Sequence, residues 1–203
     1  NSMVTYFTSG TIVNTGTINK TSTGTTSIQT AVFNNNGTLN YAGTLVNNNG
    51  VFNNAGNLTG NSGTFNNTGT LNHNTGSVIG GTGNFNNSGT LSLGINQVFS
   101  AALVLGNSGT INGAGNLTIN HVFTFSGTIT GAGSLFLNEN ATWTDGEISR
   151  STLIAVGKTL NLTTGGNKFV SANITSNGTL NWQDGQILFS NNPTITNNGT
   201  WMI

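Results

Sequence analysis

Glycines recur at a nearly constant spacing in the first half of this chain, and that spacing restricts the fold more than any other feature. Nine glycines between Gly37 and Gly89, many followed by Thr and an aliphatic residue, are separated by gaps of 6 or 7 residues. Three successive gaps sum to 19 or 20 residues. A period of this length, divided into three short segments, is typical of one coil of a solenoid with three sides.

Apolar residues keep step with these glycines. The residue after each Gly-Thr pair is expected to point inward and its neighbours outward, because side chains alternate along a strand. Three stacked inward columns are predicted: Leu39, Leu58 and Val78; Leu45, Phe65, Phe85 and Leu105; and Phe52, Leu71, Leu91, Ile111 and Ile129. Every member is apolar, so the columns predict a continuous core.

Gly and Asn mark the corners between segments, where Gly takes a positive φ freely and Asn tolerates it. Asn side chains at equivalent corners can also donate to one rung and accept from the next. The ladder is expected to contain Asn47, Asn66 and Asn86, with Asn48, Asn67 and Asn87 beside them.

The sequence therefore predicts an all-β, single-domain, right-handed parallel β-helix, or β-solenoid, with three short strands per coil of about 20 residues and roughly ten coils. Helices are disfavoured by the density of Gly, Thr and Asn. One solenoid is expected to span 1–203, with less regular first coils in 1–30. The most regular repeats lie in 31–119, and degenerate repeats with W-x-D-G turns occupy 120–203.

Composition restricts the possible partners. Charged residues make up 4% of the chain, four basic residues balance four acidic ones, and Cys is absent. Nucleic acid and anionic membranes attract clustered Lys and Arg, so we expect neither as a partner. No apolar run reaches the roughly 18 residues of a spanning helix, so membrane insertion is not expected. Lys20, Arg150, Lys158 and Lys168 form no cluster and are expected to be solvated surface charges.

The chain offers few groups for catalysis or metal binding. Asp145 and Asp184 precede glycines in two related segments, TWTDGEI and NWQDGQI. Two carboxylates about two coils apart are compatible with an inverting glycosidase, but Asp before Gly is also a common turn signal. His73 and His121 lie 48 residues apart, which is not a whole number of coils, so no shared metal site is predicted. We expect no enzyme activity and no cofactor.

Three tryptophans could form exposed platforms for sugar rings or could pack in the core. Trp201 takes the inward place after Gly-Thr, and Trp182 lies two residues beyond the inward Leu180. This register favours core packing for both rings. The exposure of Trp143 stays open.

One side of the predicted solenoid carries an outward array of small polar residues. It has two columns at the strand repeat: Thr70, Thr90, Thr110 and Thr128 in one, and Asn72, Ser92, Asn112 and Thr130 in the other. A flat threonine array of this kind resembles the ice-binding surfaces of insect and bacterial solenoids. The mixed second column counts against that interpretation.

Segments such as NNNGTLN, NNTGTLN, NNSGTLSL and ITSNGTLNW resemble the Gly/Asn/Thr-rich repeats of bacterial filamentous-haemagglutinin-like adhesins and autotransporter passengers. The resemblance extends from about Thr8 to Thr200. It implies a right-handed β-helix, export to the cell surface, and a role in adhesion or as a stalk.

We therefore expect a non-enzymatic segment of an extracellular or cell-surface protein. It would act as a rigid rod or as an adhesive surface toward neutral glycans or an abiotic surface. Two alternatives stay open: an ice-binding solenoid, and a polysaccharide lyase or hydrolase. The second is disfavoured by the lack of acidic and basic clusters.

Both ends of the sequence enter the repeat without a polar cap. The final segment NNGTWMI has Trp201 and Ile203 on the inward period, and the first segment MVTYFTSGTIVNTG begins the repeat almost at once. An open rung leaves unpaired backbone groups and exposed core. We therefore expect the chain to belong to a longer polypeptide or to stack end to end with another copy.

Overall fold

The computed structural model describes residues 3–6, 10–29, 32–47 and 49–203. These residues form 29 β-strands and no helix. In chain order the strands are β1 (Met3–Tyr6), β2 (Thr11–Asn14), β3 (Thr17–Lys20), β4 (Thr25–Gln29), β5 (Val32–Asn35), β6 (Thr38–Tyr41), β7 (Thr44–Asn47), β8 (Val51–Asn54), β9 (Asn57–Asn67), β10 (Thr70–His73), β11 (Val78–Asn87), β12 (Thr90–Leu93), β13 (Gln97–Phe99), β14 (Leu103–Asn107), β15 (Thr110–Gly113), β16 (Leu117–Ile119), β17 (Phe123–Phe125), β18 (Thr128–Thr130), β19 (Leu135–Leu137), β20 (Ala141–Trp143), β21 (Gly146–Ser149), β22 (Thr152–Ile154), β23 (Thr159–Leu162), β24 (Lys168–Val170), β25 (Ile174–Ser176), β26 (Thr179–Trp182), β27 (Ile187–Phe189), β28 (Ile195–Asn197) and β29 (Thr200–Met202).

The strands stack in three parallel sheets, which form the sides of a β-solenoid. Sheet 1 has 13 strands and runs β1-β4-β7-β9-β11-β14-β17-β20-β23-β26-β29, with β3 and β6 joined to it through the long strand β9. Sheet 2 has ten strands in the order β2-β5-β8-β10-β12-β15-β18-β21-β24-β27, and sheet 3 has six, β13-β16-β19-β22-β25-β28. Each coil of about 20 residues contributes one strand to each side. The predicted all-β parallel solenoid is confirmed.

Close contact between coils explains the glycines at the corner between sheets 1 and 2. A Cβ on Gly89 would collide with the carbonyl oxygen of Gly69, and a Cβ on Gly109 would collide with that of Gly89. None of these three glycines has a positive φ. In these coils Gly recurs because the successive backbones approach too closely for any side chain, and not because the corner needs a left-handed conformation.

Two of the three predicted core columns are confirmed, those that begin at Leu45 and at Phe52: their members are buried and pair in register. Aromatic rings stack along the axis, as in Phe65 and Phe85, whose ring centroids are 5.0 Å apart. The stacked rings and aliphatic side chains form one continuous core.

The third column was predicted wrongly at one position. Val78 is 51% exposed, and Ile79 pairs with Leu58 and takes the inward place. The corner from Asn54 to Asn57 takes three residue steps. In the next coil the same corner runs from His73 to Val78, their register partners, and takes five. The longer corner after His73 therefore shifts the inward position by one residue.

The asparagine ladder is present, but its membership differs from the prediction. Asn47 joins Asn67, Asn87 and Asn107 in a buried inner ladder, in which each Nδ2 donates to the Oδ1 of the next coil at 2.7, 2.7 and 2.8 Å. Asn66 and Asn86 belong to a separate outer ladder. Asn48 lies outside the described residues. Neighbouring asparagines thus point to opposite faces, as the strand period requires.

Inner and outer ladders run in opposite directions. A second inner ladder, Asn14 to Asn35 to Asn54 in sheet 2, also donates toward higher residue numbers. The outer pairs donate toward lower numbers, as Asn86 does to Asn66 at 2.9 Å and Asn53 does to Asn34 at 2.8 Å. Each ladder is a chain of aligned amide dipoles, in which each hydrogen bond polarises the next.

Candidate functional site

The predicted outward array lies on sheet 2. Thr70, Thr90, Thr110 and Thr128 pair in register on β10, β12, β15 and β18, and Glu147 follows on β21. These side chains are half-buried, so each threonine exposes part of its surface. The structure therefore brings four threonines together in one column at the strand spacing of roughly 4.8 Å.

The second column of the array is less uniform. Asn72, Ser92 and Asn112 pair in register, and Thr130 pairs with Ser149. Asn72 also donates from Nδ2 to the Oδ1 of Asn53 at 2.8 Å, so its amide already belongs to an outer ladder. The two columns consequently differ in chemistry.

A groove of 340 Å³ runs along the corner between sheets 1 and 2, beside the threonine column. Gly106 and Phe125 line it together with eight polar residues: Asn86, Asn87, Ser88, Asn107, Ser108, Thr124, Ser126 and Thr144. Serine and threonine hydroxyls stack along the corner because each coil places a small residue just before its corner glycine or Asp-Gly. No single segment of the sequence indicates this groove, because it depends on how adjacent coils align.

The four threonines of the column and nine of the ten residues that line the groove lie in an uncharged part of the chain. Residues 21–138 contain no Asp, Glu, Lys or Arg, and this stretch includes every strand from β4 to β19. All the charged residues are Lys20 or lie from Glu139 onward. Carboxylates border this surface at one edge, where Glu147 follows Thr128 in the column and Asp145 follows Thr144 of the groove. The rest of the surface offers hydrogen bonds without ionic attraction.

Arg150 was expected at the surface but is buried, with 1% of its area exposed. Its guanidinium donates to the carbonyl oxygens of Thr130, Gly113 and Gly115, at 2.6 to 3.3 Å. Burial lowers the pKa of Arg150 to about 10. The guanidinium therefore satisfies three carbonyl oxygens, which two successive coils present at one corner. Ile148 points inward, and the residue two positions later on a strand points to the same side. This spacing is the sequence signal for the inward position of Arg150.

Lys168 is also buried, contrary to expectation. Its Nζ donates to the carbonyl oxygens of Thr163, Thr164 and Gly166 at 2.6, 2.8 and 2.8 Å. Burial lowers the pKa of Lys168, and the carboxylates of Asp184 and Asp145 oppose that shift. The ammonium group binds the corner carbonyls from the inside of the coil.

The other two basic residues are less buried. Lys20 donates to the carbonyl oxygens of Ser22, Gly24 and Ala42 at 2.6 to 2.7 Å, and burial lowers its pKa. Lys158 forms an ion pair with Glu139 at 2.9 Å, with both side chains about one third exposed. The surface prediction therefore fits Lys158 best.

The two Asp-Gly segments form equivalent turns. Asp145 accepts from the backbone N–H of Gly146 at 2.8 Å, and Asp184 accepts from that of Gly185 at 2.7 Å. Both carboxylates are exposed. Each carboxylate therefore supports its own turn, as Asp before Gly commonly does.

The two histidines lie far apart and form different hydrogen bonds. His73 is buried, pairs in register with Asn54 and contacts the hydroxyl of Ser77 through Nδ1. Burial lowers the pKa of His73 to about 4. His121 accepts the backbone N–H of Leu105 at Nε2, at 2.9 Å. Within the described residues, no group of three or more His, Cys, Asp or Glu side chains could hold a metal ion.

The tryptophans lie on the core side of their strands. Trp143 is buried and stacks on Phe125, and Trp182 packs against the core. Trp201 pairs with Leu180 in the predicted inward column, on the last strand of its sheet, and is 37% exposed. The predicted core packing is thus confirmed for Trp182, whereas Trp201 keeps the inward register but is exposed.

Comparisons with known proteins give no relative for this chain. No family model, no curated protein and no solved structure matches it. Among the described residues there is also no helix long and apolar enough to span a bilayer.

Proposed function

We propose that this chain is a rigid segment of an extracellular or cell-surface protein and that it binds neutral glycans through its outward hydroxyl and amide groups. The observation that carries the proposal is the absence of charged residues from 21–138, where the threonine column and the corner groove meet. Sugars are neutral and rich in hydroxyls, so a surface of Ser, Thr and Asn matches them in both charge and hydrogen bonding.

The solenoid supplies the rigidity that this role requires. Ten strands stack in sheet 2, and at roughly 4.8 Å per strand they extend over about 43 Å. Each coil packs on the next through apolar columns and inner amide ladders. Such a rod holds binding groups at fixed intervals along its length.

Retention on insoluble polysaccharides tests the proposal. The purified chain is mixed with cellulose, starch granules or chitin and washed with increasing NaCl. We expect retention on at least one of these neutral polymers that persists at about 1 M NaCl, because no ionic attraction contributes. Failure to bind any of them, or release by salt, would contradict the proposal.

Ice binding is a second candidate, favoured by the four threonines in register on β10, β12, β15 and β18. It predicts thermal hysteresis that is abolished by Thr90→Lys combined with Thr110→Lys in a chain that keeps its β-sheet circular dichroism. Absence of hysteresis and of ice-crystal shaping in the unchanged protein would remove this candidate.

A further inference from the structure

Two amide ladders end at the same point of the solenoid, on the wall of the corner groove. The inner ladder ends at Asn107, because Phe125 occupies the next place in its column. The outer ladder ends at Asn86, because Gly106 occupies the next place in its column. Asn86, Gly106, Asn107 and Phe125 all line the groove.

The inner ladder leaves a hydrogen-bond donor without a protein acceptor. In the coils before it, Asn67 and Asn87 each donate to the next asparagine and to the carbonyl oxygen of Thr90 or Thr110. Asn107 donates only to the carbonyl oxygen of Gly109, at 3.1 Å, within the part of the chain that the structure describes. Asn107 is 4% exposed, so its second N–H is a nearly buried donor on the wall of the groove.

The outer ladder leaves an acceptor. Asn86 donates to Asn66, and its own Oδ1 faces the space above Gly106, where a Cβ would have that oxygen as its nearest heavy atom at 3.2 Å. Beside it, the hydroxyls of Ser108 and Ser126 have no hydrogen-bond partner among the described residues, although Ser88 donates to the carbonyl oxygen of Asn67. The groove therefore combines one spare donor, one spare acceptor and free hydroxyls.

We infer that this groove is the subsite that holds a sugar unit of a neutral glycan, an inference that rests on the function proposed above. One ligand hydroxyl donates to the Oδ1 of Asn86, in the place of the missing ladder amide, and another ligand oxygen accepts from Nδ2 of Asn107. The hydroxyls of Ser108 and Ser126 form hydrogen bonds with neighbouring hydroxyls of the ligand, either as donors or as acceptors. A polyol is favoured because each of its hydroxyls both donates and accepts.

The variant Gly106→Asn tests this assignment. The new amide extends the outer ladder to Asn86 and fills the groove. Its Cβ would meet only the side-chain Oδ1 of Asn86, at 3.2 Å, and a small shift of that exposed side chain allows the fold to be kept. Gly80→Asn is the matched control, since Gly80 lies on β11 of the same sheet and its Cβ would meet only Val78, at 3.5 Å.

The measurement is NMR titration with maltohexaose, cellohexaose and chitohexaose, following the side-chain amide signals of Asn86 and Asn107. We expect at least one hexasaccharide to shift both signals in the unchanged chain and in Gly80→Asn. Affinity should fall at least about tenfold in Gly106→Asn, as for the loss of one or two hydrogen bonds.

Two outcomes would overturn the assignment and are distinguishable. Glycan binding that is unchanged in Gly106→Asn would show that sugar binds elsewhere, and the proposed function would stand without this groove. Failure of the unchanged chain to bind any hexasaccharide in solution or any polysaccharide in the retention assay would remove both.

Discussion

One column of sheet 1 has two chemistries along its length. Its first part is the amide ladder from Asn47 to Asn107, and its second part continues in register as Phe125, Trp143, Leu162 and Trp182. Both parts are placed by the same strand repeat at the same corner. The repeat therefore specifies where a side chain lies. The chemical group that donates hydrogen bonds to the nearby backbone carbonyls can change along the column.

Both parts supply donors to the corner carbonyls. In the first part the donors are amides, as in Asn87 to the carbonyl oxygens of Gly89 and Thr110. In the second part the indole N–H of Trp143 donates to the carbonyl oxygen of Asp145. Nearby, Lys168 on β24 of sheet 2 binds three carbonyls of the corner that follows Leu162. Aromatic rings and buried cations therefore replace the ladder where it stops.

The largest expected effect is at Trp143, in the second part. Trp143→Ala removes a buried ring stacked on Phe125 and should lower the free energy of unfolding by about 4 kcal/mol. Trp143→Phe keeps most of the ring and loses one hydrogen bond, so it should cost about 1 kcal/mol. Urea unfolding measures both. Equal losses would mean that the indole N–H, and not ring packing, stabilises this part of the column.

An intermediate effect is expected at His73, which follows Asn54 at the end of the inner ladder of sheet 2. Because burial lowers its pKa from 6.5 to about 4, the folded state holds this imidazole neutral. Stability is therefore full above about pH 6.5 and falls by about 3 kcal/mol as the pH decreases to 4. Urea unfolding between these pH values measures the loss.

The control is His73→Asn, which places an amide next to Asn54 and removes the titrating group. Its unfolding free energy should vary much less over the same pH range. If the variant loses as much stability as the unchanged chain, another group causes the acid sensitivity.

A smaller effect is expected at Asn87, in the middle of the inner ladder of sheet 1. Asn87→Ala leaves Nδ2 of Asn67 without its acceptor and Oδ1 of Asn107 without its donor, at a cost of about 2 kcal/mol. Asn86→Ala, on the outward side of the same strand, should cost less than about 1 kcal/mol. Similar losses at the two positions would contradict the distinction between inner and outer ladders.

The sequence predicted the features that repeat in every coil. Gly-Thr steps and apolar residues recur at 19 or 20 residues, so the columns of Phe85 and Leu71 follow from counting. Counting failed at Val78, where a corner gains residues, and at the ladder, where a shift of one position exchanges Asn66 for Asn67. Both errors arise because a shift of one residue along a strand moves a side chain to the opposite face of the sheet.

Features that occur once could not be predicted by repetition. Burial of Arg150 and of Lys168 depends in each case on carbonyl oxygens that two coils bring together, whereas charge alone favours a surface position. The groove exists because the two ladders end side by side, at Gly106 and at Phe125. Neither residue is unusual in the sequence, and only their alignment across coils places them together.

The inner ladder has a consequence for how the length of this rod can change during evolution. Asn67 and Asn87 present the same acceptor to the coil before and the same donor to the coil after. A duplicated coil inserted between them would form every bond of its template and lengthen the rod by roughly 4.8 Å. Tandem duplication can therefore extend the amide part without new compensating mutations. The coil of Arg150 cannot be copied in this way, because two buried guanidinium groups in adjacent coils would repel each other and compete for the carbonyl oxygen of Thr130.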